Sequence, residues 1–204
     1  MAFANYSDLK SQIGTWLARD DLTERIPDFI TLAEAGFNRR FRVREMEQRA
    51  TATTTTAVYY AWPSDFLEIR FIKMNTSPPV VLTYLSPEQI EGMEEVSDQI
   101  PRYWSDIQSQ LRVAPIPQAG LTMEINYFKK LALATDTNNW LLSKYPDIYL
   151  YGSLVQAEPY LMNDARVATW KSLLDAGIDQ LDDQDWRVKA GASPRTVRTD
   201  YLGA

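Results

Sequence analysis

The chain of 204 residues contains no cysteine and no histidine. The first absence removes disulfides, thiolate nucleophiles and cysteine-ligated zinc sites, and nothing in the sequence requires an oxidising compartment. The second removes the commonest general base and the commonest metal ligand, so serine triads, cysteine proteases and most zinc hydrolases cannot be built in their usual form. Only eight glycines occur, and none lies in a phosphate-cradling loop, which leaves nucleotide-driven chemistry unsupported. Nowhere are about eighteen apolar residues consecutive, and MAFANYSDLKSQIGTW lacks the charged start and apolar run of a signal peptide. The expectation is a chain that neither crosses a membrane nor is exported by a leader.

What is present suits a folded body. Hydrophobic residues make up 45% and aromatics 12%, enough apolar surface to offset conformational entropy. The net charge of −6 argues against wrapping nucleic acid, because non-specific affinity comes from Lys and Arg displacing counterions from phosphates. The charge is uneven. Residues 1–50 carry eight acids and eight bases, 131–186 carry nine acids and three bases, and 187–204 carry one acid and four bases. An acidic body ends in a basic tail.

Leu9, Ile13, Trp16 and Leu17 at helical spacing predict a helix over about 8–19, with Ser7 as its cap. Ile26, Phe29, Ile30, Ala33, Phe37 and Phe41 predict a second, opened by Pro27 and ending near Glu45. RATATTTTAVYYAW is then β-branched and aromatic, and LEIRFIKM, VVLTYL, YWSDIQ, QLRVAP and LTMEINYFKK follow at hairpin-like intervals. Five or six strands are expected. One helical interruption is predicted at SPEQIEGMEE, where Ser86 and Gln89 match a capping box. Helices return with Pro146 starting one that is apolar on several sides until Pro159 kinks or ends it, and another over about 164–184 carrying Val167, Trp170, Leu174, Ile178 and Leu181. The reading is an α+β fold: a helical bundle from 1–49 and 131–186, a small antiparallel β sandwich or barrel inserted over 50–130, and an extended C-terminal arm at 187–204.

Candidate chemistry is thin. Asp175, Asp179, Asp182, Asp183 and Asp185 lack the alternating ligands and central Gly of a calcium loop and read as a solvated helix face. Glu91, Glu94, Glu95 and Asp98 could supply a carboxylate pair for glycoside cleavage, but nothing selects a pair. No catalytic, cofactor-binding or metal-binding residue is assigned. Arg39, Arg40, Arg42 and Arg44 complement the carbonyl end of the second helix, and their guanidinium groups could also meet carboxylates on a neighbouring subunit or bind phosphate. Five of the six tryptophans read as core, whereas Trp186 sits where the apolar pattern stops. Beyond it, Arg187, Lys189, Arg195, Arg198, Tyr201 and Leu202 punctuate a tail without helical period, which fully extended would span on the order of 60 Å.

Taken in order, WLARDDLTERIPDFITLAEAGFNRRFRVREME, WPSDFLEIRFI, YLSPEQI, LRVAPIP and INYFKKLALATDTNNWLLSKYPDIYLYGSLVQAEPYLMNDARVATW resemble the head-to-tail adaptor (connector) proteins of tailed bacteriophages, including the tubular adaptors of short-tailed phages. One departure is Ile100 before Pro101, where such proteins often carry Gly; it bears on a turn. The resemblance implies a non-enzymatic structural protein of the virion, made in the host cytoplasm and placed at the portal vertex. It implies a ring, commonly of twelve copies, whose C-terminal arm engages the portal, whose other rim meets a downstream tail or nozzle protein, and through which DNA passes. With it, Trp186, Arg187, Lys189, Arg195, Arg198, Tyr201 and Leu202 become candidates for portal binding, and Arg39, Arg40, Arg42 and Arg44 for subunit contact; no cofactor is implied. The competing reading is a virion-associated cell-wall hydrolase working through carboxylates, which a peptidoglycan turbidity assay separates.

Overall fold

The structure, a computed structural model, describes residues 3–19, 21–94, 96–161 and 166–192. The chain divides into two compact units, one of residues 1–44 and 131–204 and one of residues 45–130. The class is α+β.

The first unit is helical. Its α1 (Tyr6–Leu17) begins two residues earlier than expected, because Asn5 rather than Ser7 is the cap: Asn5 is extended and its Oδ1 accepts from the Asp8 N–H at 3.0 Å. The Tyr6 N–H finds the Thr137 carbonyl at 2.8 Å, so the first turn leaves fewer donors orphaned. Helix α2 (Ile26–Arg40) has Pro27 in its first turn and stops short of the expected end near Glu45. Phe41 is extended, and Phe41 and Val43 are buried while Arg44 is exposed, a period of two that no helix satisfies.

Helix α6 (Pro146–Leu161) is the centre of this unit. Ile148, Tyr149, Leu150, Leu154 and Ala157 are buried around its circumference, which matches the prediction of a helix apolar on several sides. Pro159 is accommodated inside its last turn. Gly152 lets α2 approach closely, since a Cβ there would lie 2.5 Å from Cζ of Phe37. Two short helices, α4 (Leu133–Asp136) and α5 (Trp140–Lys144), precede α6 and have too few residues to show a period. Trp16 of α1, Tyr151 of α6 and Trp170 form an aromatic cluster with ring centroids 5.5–6.0 Å apart.

A buried polar chain crosses this unit. The Glu34 carboxylate accepts from the Leu133 N–H at 2.6 Å and from the Tyr149 hydroxyl at 2.9 Å, and Asn139 Nδ2 donates to that hydroxyl at 2.7 Å. Burial pushes the Glu34 carboxyl above its ordinary value, although the Leu133 amide and Tyr149 hydroxyl pull the other way. A raised folded-state pKa favours the protonated native form. The resulting contribution is complete below the unfolded value and is lost as pH rises through the folded one. Glu34→Gln keeps an acceptor oxygen but cannot ionise. Its urea midpoint relative to the parent should therefore improve between pH 4 and pH 7.5; a gap that is constant or widens over that range would contradict this assignment.

The second unit is a sandwich of two four-stranded sheets. In one, the order is β1 (Glu47–Thr53), β8 (Thr122–Lys129), β3 (Phe66–Met74), β4 (Val80–Val81), antiparallel throughout. In the other it is β2 (Tyr59–Ala61), β7 (Gln110–Ala114), β6 (Tyr103–Ile107), β5 (Thr83–Tyr84), with β5 parallel to β6. Among the described residues there is no closed barrel. Ile72, Met74, Leu82, Trp104, Leu111, Val113, Met123, Ile125 and Tyr127 fill the space between the sheets; each fully buried aliphatic contributes about 1.5–3 kcal/mol.

Two expected strands are each divided, which raises the count from five or six to eight. In VVLTYL, Leu82 points into the core while Val80–Val81 pair with β3 and Thr83–Tyr84 with β6. In the threonine-rich run, buried Thr54 donates from Oγ1 to the Gln118 carbonyl at 2.6 Å and ends β1. The capping box is present as predicted: Ser86 Oγ accepts from Gln89 N–H, Gln89 Oε1 from Ser86 N–H, and α3 (Pro87–Glu91) follows.

Candidate subunit and partner-binding surfaces

The four arginines expected to act together are given separate tasks. Arg40 lies 3.6 Å from Asp175 of α7 (Val167–Ala192), and both line a surface hollow of about 180 Å³ with Gly36, Gly152, Leu174 and Ile178. Arg42 donates to the carbonyls of Asn38 at 2.7 Å and Phe41 at 2.5 Å, covering acceptors that the end of α2 leaves unpaired. The Arg44 N–H donates to Asp185 Oδ1 at 3.2 Å. Arg39 is exposed in the last turn of α2 and has no partner among the described residues. Of the four, Arg39, Arg40 and Arg44 are exposed, and Arg42 is turned to the backbone at the end of α2.

Helix α7 runs past its expected end near 184 to Ala192, so Arg187 and Lys189 are helical and not part of an extended arm. No apolar stripe continues past Leu181. Here propensity carries the helix instead, through Arg187, Lys189, Ala190 and Ala192 and through an i,i+4 ion pair of Asp185 with Lys189. Past Leu181 no described residue of α7 is buried. Trp186 is 69% exposed, the most exposed large hydrophobic residue among those described. Arg195, Arg198, Tyr201 and Leu202 lie outside the described residues.

The aspartates of α7 form no metal-holding group among the described residues. Asp175 meets Arg40, and Asp185 meets Lys189 and the Arg44 amide, so these two tie the helix down while Asp179, Asp182 and Asp183 face solvent. In the second unit, Glu91 accepts from the Tyr59 hydroxyl at 2.8 Å and from Nε of buried Arg112 at 3.1 Å. The Tyr59 hydrogen bond and then Arg112 hold the Glu91 carboxyl below the usual range. A glycosidase acid needs the opposite shift. Glu95 lies outside the described residues.

Sequence spacing gave no sign of the outer side of β1, where no strand pairs among the described residues, or of the exposed Val81 at the opposite edge of the same sheet. The signal in composition was the uncharged run Ala50–Ala57, read only as strand.

No helix of the described residues is long and apolar enough to cross a membrane. Among curated proteins nothing matches the chain. A model of the family described as SU10 adaptor protein matches residues 4–198. That span takes in both units and nearly the whole sequence, and the chain belongs to the SU10 adaptor protein family.

Proposed function

We propose that this adaptor closes into a ring beneath the portal of a phage capsid, docks there through the end of α7 and the residues that follow, and presents its opposite rim to the next tail component. Family membership gives a structural phage role, and the observation that carries the docking assignment is the unburied end of α7 with Trp186 at 69% exposure. Aromatic side chains with a polar handle dominate the energetics of interfaces, whereas one left in water gains nothing. Arg187 and Lys189 stand on the same helix end, and Arg195, Arg198, Tyr201 and Leu202 extend the same basic, aromatic composition. No chemical step is required. The net charge of −6 per copy suits a passage for DNA, because weak repulsion keeps phosphates from adhering.

A ring uses one patch against a different one on the next copy. Arg39 with Arg40 and Arg44 supplies one, and the solvent-facing Asp179, Asp182 and Asp183 supply acids for the other. One co-sedimentation experiment tests both assignments. Deleting residues 187–204 should leave the far-ultraviolet spectrum of the body essentially unchanged and abolish sedimentation with purified portal. Arg39→Glu should leave portal binding by single copies but reduce ring formation at least several-fold. Wild-type sedimentation of the truncated chain, or unchanged rings of Arg39→Glu in micrographs, rejects the corresponding contact.

A further inference from the structure

The sheet β1-β8-β3-β4 has two outer edges, and each turns backbone groups outward. Thr54 N–H donates to the Leu121 carbonyl at 2.8 Å, on the side of β8. Backbone groups alternate along an antiparallel strand, so Ala52, Ala50 and Gln48 also turn toward β8. Glu47, Arg49, Thr51 and Thr53 turn their N–H and C=O groups the other way, where no strand pairs with β1 among the described residues. At the far edge, Leu82 N–H donates to the Ile72 carbonyl at 2.9 Å, so the backbone of Val81 faces away from β3. Val81 is 59% exposed.

Edges of this kind are templates for pairing, and proteins usually blunt them with proline, bulges, charge or short length. β1 has none of the first two: it is seven residues long, its register with β8 is unbroken, and its charges are confined to Glu47 and Arg49 at one end. The other three edge strands have two or three residues each.

We infer that the occupant of the β1 edge is the Val80–Leu82 edge of a second copy of this chain, which rests on the ring reading above and specifies how neighbours join. Strand direction and facing both permit it. Three antiparallel steps separate β1 from β4, so β4 runs opposite to β1, and a neighbour related by rotation brings the two together antiparallel. Thr51 is opposite Glu124, Glu124 opposite Lys73, and Lys73 opposite Val81, so Thr51 and Val81 project from one face of the sheet. Their outward backbone groups therefore pair without turning the apolar face outward, and the junction repeats from copy to copy as a head-to-tail contact must.

The natural absence of cysteine makes the test clean. Thr51→Cys and Val81→Cys, combined in the full-length chain, place two thiols within disulfide range across the junction, with Thr53→Cys plus Val81→Cys as the neighbouring register. Each is oxidised with and without portal and scored on a non-reducing gel beside electron micrographs of the same sample. A covalent ladder beyond dimer from either pair, absent from the single variants, is the expected result. Rings without a ladder overturn the edge pairing and leave the ring intact; neither rings nor ladder overturns both. Covalent dimers of Thr51→Cys alone in comparable yield overturn the choice of Val81. Thr51→Pro removes an outward N–H that β8 does not use, and should raise the concentration for half-assembly about tenfold with the fold retained; an unchanged assembly curve also overturns the inference.

Discussion

Tyr149→Ala should destabilise the helical unit by about 3–5 kcal/mol, the range for deleting a buried aromatic ring, with part of that cost borne by polar groups. The ring is fully buried and meets Phe37 edge-on at 5.6 Å. Its hydroxyl joins Asn139 to Glu34, and removal leaves the buried carboxylate with the Leu133 amide as its remaining hydrogen bond. Tyr149→Phe retains the ring and should cost about 1–3 kcal/mol, the penalty for leaving buried polar groups without their hydrogen-bond partner. Because the chain has two units, exchange of the α6 amides with deuterium is the appropriate measurement, since it reads opening of the helical unit by itself. Equal loss from both variants would show that packing of the ring adds nothing, and would refute the argument.

Gly152→Val should be comparably severe, at about 3 kcal/mol or more, from overpacking together with a β-branched residue in a helix. The atom nearest the new Cβ belongs to the Phe37 ring, which has little room to yield: it stacks on Phe41 at 5.4 Å and meets Tyr149 on another side. Gly152→Ala is the milder case, because the gain in helix propensity of about 1 kcal/mol offsets part of the collision. Phe37→Leu in the Gly152→Val background should recover much of the loss, read by the same exchange of α6 amides. No recovery would mean that the damage lies elsewhere.

Most elements were legible because their signals are local. The capping box at Ser86 and Gln89 and Pro146 opening α6 each act within a few residues, and each was read correctly. The failures share a cause. Glu34 reaches partners 99 and 115 residues away, and no spacing rule links them. Arg40 and Arg42 display their type in the sequence but not whether Asp175 or the carbonyls of Asn38 and Phe41 already occupy them. The end of α7 lacks an apolar stripe, and past Leu181 none of its described residues is buried, so period alone reads irregular backbone where the chain is helical. Strand pairing in VVLTYL is decided by Leu82 entering the core, a tertiary choice that alternation alone leaves open.

Helical continuity from Leu181 through Trp186 makes angular position, as well as reach, a property of that indole. Each residue advances the azimuth by about 100°, so Trp186 is phased rigidly to the last buried side chain of the helix. A single alanine inserted after Gln184 would lengthen the rod by only about 1.5 Å yet swing the indole to a different quadrant. The orientation of the indole is thus fixed by residue count, in the way a key's teeth are fixed to its shaft.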